Sequence, residues 1–152
     1  MSTQDNIQHF DRVVLVTLDR LYDAFPVPIE LSVGEVAEAA TPGKFTSVPT
    51  FKELEPTFET VKFLAKEGFL QYSDHWVDGT AFLQVQLTLK GLTVLGQPPN
   101  SLGKKPALIS QVKSALKSGA KTAATDAVKQ VVGQILTAAA AAAPAVIAAV
   151  IK

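Results

Sequence analysis

The chain has 152 residues, enough for one ordinary domain with an appendage and too few for two full-sized ones. Charged residues make up 18%, hydrophobic ones 47%, and 14 Lys+Arg balance 14 Asp+Glu, which excludes a disordered polyelectrolyte and a generally basic nucleic-acid coat protein. Without cysteine there is no disulfide, thiolate zinc site, iron–sulfur cluster or cysteine nucleophile, and His9 and His75 are too little material for a metal centre. No cofactor is therefore expected. The N-terminus has no basic region followed by an apolar run, so no secretory signal is read there and a cytoplasmic location is expected.

From the N-terminus, Ile7, Phe10, Val14, Leu18, Leu21 and Phe25 recur at steps of three and four, predicting an amphipathic helix that Pro26 and Pro28 end. Pro28 to Leu31 alternates and predicts a short strand. Ser32 with Glu35 makes a capping box for a helix through about Ala40. Thr41-Pro42-Gly43 breaks the chain, and Thr50 with Glu53 makes a second capping box. The helix that follows sets Leu54, Phe58, Val61, Leu64 and Ala65 on one face and stops at Gly68. The period then changes to two. Residues 69–76 and 81–88 are rich in strand formers, the second alternating Leu83, Val85 and Leu87 against Gln84, Gln86 and Thr88. Between them, Val77-Asp78-Gly79-Thr80 supplies the Asp-Gly turn of a hairpin. Thr88 caps a short closing helix over 89–95, with Gly91 and Gly96 read as turn or cap positions, and the Pro/Gly-rich stretch from Gly96 to Gly103 reads as a linker.

This order of helix, short strand, helix, helix and hairpin resembles a winged helix-turn-helix domain over about residues 7–96. Two pieces carry the resemblance: Ala65-Lys66-Glu67-Gly68-Phe69-Leu70, similar to the end of the family's third helix entering the wing, and Leu87-Thr88-Leu89-Lys90-Gly91-Leu92, similar to the exit from the wing. The expected fold class is thus mainly α with a small antiparallel β-hairpin, followed by an α-helical C-terminal tail. The expected division is 1–97 as the winged-helix domain, 98–105 as linker and 106–152 as tail.

The resemblance implies a third helix placed in the DNA major groove with basic side chains on phosphates. The charges depart from that pattern. Residues 1–97 carry seven bases against thirteen acids, and residues 98–152 seven lysines against Asp126 alone, so the neutral total cancels a −6 front against a +6 back. The third helix sets Lys52, Lys62 and Lys66 against Glu53, Glu55, Glu59 and Glu67, and the wing tip carries Asp74 and Asp78. Neutralising phosphates supplies the sequence-independent part of DNA affinity, which an acidic module lacks. A protein partner is favoured over nucleic acid, with Glu55, Glu59, Lys62 and Lys66 as candidate contact residues on the third helix.

In the tail, Leu108, Ile109, Val112, Ala115 and Leu116 line one side of a helix with Lys113 and Lys117 beside them, and after a possible hinge at Ser118-Gly119-Ala120 the stripe continues through Val128, Val131, Val132 and Ile135. Such helices look like membrane-active peptides, which lie in the interface through apolar burial plus attraction to anionic lipid. The run Val131–Ile151 has no charge; as a helix it reaches about 31 Å, near bilayer thickness, but it is mostly alanine and contains Pro144. Membrane lipid, a soluble homo-oligomer or, least, nucleic acid gripped by the lysines are the partners this tail suggests.

No catalytic set is apparent. Asp74 with His75 is a lone strand pair, Tyr72 and Trp76 read as hairpin packing, and Ser114 with Lys117 matches a Ser-x-x-Lys motif by letters only. The expected function is a non-enzymatic interaction or effector protein: the acidic module binds a protein, and the cationic tail self-associates or engages a membrane. In that scheme glutamates 53, 55, 59 and 67 mask the tail's lysines. The alternative is a DNA-binding regulator that oligomerises through its C-terminal helices.

Overall fold

The computed structural model describes residues 3–96, 107–117 and 122–151, with side chains described for 6–96, 107–117 and 126–140. The elements are α1 (Thr3–Ala24), β1 (Ile29–Ser32), α2 (Val33–Ala40), α3 (Phe51–Lys66), β2 (Leu70–Gln71), β3 (Asp74–His75), β4 (Ala81–Leu87), α4 (Leu89–Gly96), α5 (Leu108–Lys117) and α6 (Thr122–Ile151). The chain is mainly helical with a small antiparallel sheet and a helical C-terminal end, as the periodicities predict. The proposed linker and the hinge at 118–120 lie outside the described residues.

Local chemistry explains the boundaries. The Ser32 hydroxyl accepts from the Glu35 N–H at 3.3 Å and starts α2. Thr50 and Glu53 form the full reciprocal capping box of α3. At the other end of α3, Gly68 takes φ +86, its N–H bonds the Ala65 carbonyl and the Phe69 N–H reaches back to Leu64, a Schellman stop that needs a left-handed residue. Thr88 caps α4 by accepting from the Gly91 N–H at 3.0 Å, and its own hydroxyl donates to the carbonyls of Gly68 and Phe69. Lys90 Nζ donates to the Glu67 carbonyl at 2.8 Å. The two segments that carry the family resemblance are therefore bonded to each other. Gly91 is no turn residue. It lies inside α4, where a Cβ would stand 2.2 Å from the Phe69 carbonyl oxygen, so only glycine lets α4 approach the α3–β2 corner.

In the sheet, β4 pairs antiparallel with β1 on one side and with β2 and β3 on the other. The predicted strand over 69–76 is two short pieces split around Tyr72 and Ser73. The predicted alternation of β4 also fails at one point. Ile29 faces Val85 and Leu31 faces Phe82, so three residue steps on β4 oppose two on β1, and Gln84 absorbs the difference at φ +52. The bulge resets the side-chain phase: Phe82, Val85 and Leu87 are buried while Leu83 is only half-buried.

The core is built around α1. Val13, Val14, Leu15, Val16, Thr17 and Leu18 are all buried, which one contacting face cannot achieve with 3.6 residues per turn. The one-sided stripe predicted for this helix is thus only part of its packing. On one side stand α2, α3 and β4; α5 and α6 cover another and also pack on α4 and on each other. The tail and the front module share a single hydrophobic core.

Candidate functional site

Two surfaces gather the residues singled out from the sequence. The first is the seam between tail and body. Leu108, Ile109, Val112, Val128, Val131, Val132 and Ile135 are buried, and Leu116 packs partly buried against the same core. Full burial of one such side chain contributes about 1.5–3 kcal/mol, so the stripe dominates the seam. At its edge Lys113 Nζ donates to Asp19 Oδ1 at 2.6 Å and to Asp23 Oδ1 at 2.7 Å. The two aspartates sit four residues apart on α1, one turn, and both face the ammonium. These bonds, Asp19 first, hold the Lys113 ammonium above the ordinary lysine range. Lys117 is exposed.

Among the described residues, the acids bonded to a tail lysine are Asp19 and Asp23 of α1. Glu59 is engaged within its own helix with Lys62 at 3.6 Å, and Glu53 with the α3 cap. Lys104 and Lys105 lie outside the described residues, and the side chain of Lys121 does too. A third acid of α1, Asp11, is buried. Burial raises its carboxyl to about 6, opposed by the positive charge of Lys129. Neither Asp11, Asp19 nor Asp23 was singled out from the sequence, although two signals were present: the unbroken run Val13–Val16, too apolar for a one-faced helix, and the i, i+4 spacing of the aspartates.

The second surface is an open groove of about 810 Å³ between the C-terminal half of α3 and β2, lined by Glu59, Lys62, Phe63, Lys66, Gln71 and Tyr72 among others. Phe63 is 41% exposed and is backed by Phe10 of α1, ring centroids 5.5 Å apart, edge to face. Lys62 lies 5.6 Å from the Phe58 ring centroid. Three of the four α3 residues named from the sequence, Glu59, Lys62 and Lys66, line this groove; Glu55 is exposed but is not among its walls. Phe63 and Tyr72 are additions that the structure makes. No family model, curated protein or solved structure matches this chain.

The remaining candidates are engaged in packing or local bonds. The Asp74 carboxylate accepts from the His75 backbone N–H at 2.8 Å, and His75 Nδ1 bonds the Trp76 carbonyl at 3.0 Å. A carbonyl only accepts, so Nδ1 carries the proton and the imidazole is not relayed to Asp74. The ring packs edge-on against Phe58 at 5.1 Å, and Tyr72 packs on Phe82 at 4.8 Å. Trp76 departs from the expected hairpin packing: it is 52% exposed and its indole N–H donates to Glu30 Oε1 at 3.1 Å. His9 is buried with Nε2 3.0 Å from Thr57 Oγ1, and burial, then Lys44 and Arg12, hold its pKa below the ordinary value. Ser114 is exposed on α5. Among the described residues no three potential metal ligands converge, and no helix is long and apolar enough to cross a membrane. The side chains of 141–151, the second half of the uncharged run, lie outside those described.

Proposed function

We propose that the chain is a winged-helix-like interaction protein that binds another protein through α3 and β2, with α5 and α6 serving as a built-in cover for α1. The observation that carries this reading is the make-up of the exposed α3 face. In the family resemblance this helix enters the major groove, yet here three glutamates, with Glu67 at the C-cap, accompany three lysines, Lys62 is paired to Glu59, and an aromatic ring stands between Lys62 and Lys66 in the open groove. A half-exposed phenylalanine beside a few mixed charges suits the anchor-and-rim pattern of a protein contact. It suits a phosphate ladder poorly, since each missing cation forfeits a released counterion. Binding rather than catalysis also agrees with a His75 engaged in ring packing and a backbone bond and a His9 buried against the Thr57 hydroxyl.

The same reading assigns the tail a structural role. Self-association or lipid contact through Leu108 to Ile135 would first require undocking side chains that are buried against α1 and α4, and breaking the Lys113 ion pairs would add a smaller cost to that.

Two measurements on the full chain test the proposal. Titrated into labelled duplex DNA of mixed sequence, the protein is expected to leave its mobility unchanged; a shift that weakens with salt and vanishes in Lys62→Glu/Lys66→Glu would replace the protein partner with DNA. A photoreactive side chain at position 63 is expected to cross-link to a protein in an extract of the source cells, in competition with unlabelled wild type. Cross-linking from position 136 of α6 and not from 63 would move the contact to the tail.

A further inference from the structure

The groove beside α3 also carries information about the kind of partner. Its floor and walls combine two aromatic rings, Phe63 and Tyr72, with the side chain of Leu70, while its rim holds Lys62 and Lys66 one helical turn apart. Glu59 is already paired to Lys62. The local balance is therefore positive within a front module whose net charge is −6, a small cationic island on an acidic body. The neighbouring strand adds a second constraint. β2 is last in the sheet order, with β4 on its one paired side, so among the described residues its outer edge has no strand beside it. Unpaired strand edges of this kind accept extended segments, main chain to main chain, with pockets for alternate side chains supplying specificity.

We propose that this groove takes a short extended segment of a partner protein in which an aromatic or large aliphatic residue, seated against Phe63 and Tyr72, is flanked by a carboxylate that reaches Lys66. Lys66 beside the Lys62–Glu59 pair matches a single carboxylate and is too little for a duplex backbone. The surrounding acids repel a longer polyanion, so the apolar anchor, not bulk charge, selects the ligand. The inference rests on the partner-binding reading above and narrows it to one chemistry.

The probe is a random peptide library displayed on phage and selected against the immobilised full chain. Peptides enriched in an aromatic or leucine next to Asp or Glu are expected. Resynthesised, they should bind about tenfold or more weakly to Lys66→Glu and to Phe63→Ser, and Lys66→Arg should restore binding. Both positions are exposed, so an unchanged thermal melt by circular dichroism separates lost contact from lost fold. Enrichment of basic or uncharged apolar sequences would overturn the charge assignment. Acidic peptides that bind both variants as well as wild type would overturn the groove while leaving partner binding intact, and no enrichment at all would sink both readings.

Discussion

At Gly91 the position of a Cβ is already occupied: it would lie 2.2 Å from the Phe69 carbonyl oxygen and 3.1 Å from its carbonyl carbon, both backbone atoms that no rotamer change can move. Gly91→Ala is therefore expected to destabilise the fold by roughly 1–3 kcal/mol, as overpacking does elsewhere, with the urea midpoint as the measurement. An unchanged midpoint would show that α4 can ride outward freely. Asp11 acts through charge. Its carboxyl ionises near 3.8 when unfolded and near about 6 when buried, so the native state holds the extra proton. This contribution is fully present below 3.8 and is lost as pH rises through about 6. His9 runs the other way: its depressed pKa gives stability that is present above 6.5 and falls away on acidification. The two contributions respond to acidification with opposite signs. Asp11→Asn should remove one arm, so that the variant loses more stability than wild type between about pH 7 and about pH 5. Equal losses in paired urea titrations would count against the buried acid.

Elements show where hydrophobic period and local chemistry suffice and where they stop. The helix starts at Ser32 and Thr50, the stop at Gly68, the turn at Gly79 and the cap at Thr88 were legible because each is settled by a side chain or a left-handed backbone within five residues. The phase of β4 was not, because the bulge at Gln84 answers to pairing with β1, fifty residues earlier. Nor was the destination of the stripe on α5, since an amphipathic helix has the same pattern whether its apolar face meets lipid, a second copy or its own chain. Magnitudes decide what holds α5 in place. Val112 is fully buried, so Val112→Asp should cost about 3–5 kcal/mol by placing a charge in the core, whereas Lys113→Ala gives up partly exposed ion pairs and should cost about 1 kcal/mol. Urea unfolding of both variants measures the contrast; a larger loss at Lys113 would make the aspartate pair the dominant tie.

For the molecule as a whole, the cancellation of a −6 front by a +6 back has a structural counterpart: Lys113 meets Asp19 and Asp23, and Lys129 stands within electrostatic reach of Asp11. The charge asymmetry was visible in the sequence, but the acids that answer it could not be named until α1 was known to be wrapped on more than one side. A chain ending at Gly96 puts this to the test. It retains every element that resembles a winged helix, yet it strips the cover from α1 and α4, whose residues Val13 to Leu18, Val94 and Leu95 are buried in the full protein. A contiguous apolar face of that kind drives association in water. The shortened protein is expected to aggregate or to bind a hydrophobic dye strongly, and to melt less cooperatively than the full chain. A monomeric, cooperatively melting fragment with an unchanged melting temperature would instead mean that the front module is complete without α5 and α6, and would reopen the tail's buried stripe as a surface for another molecule.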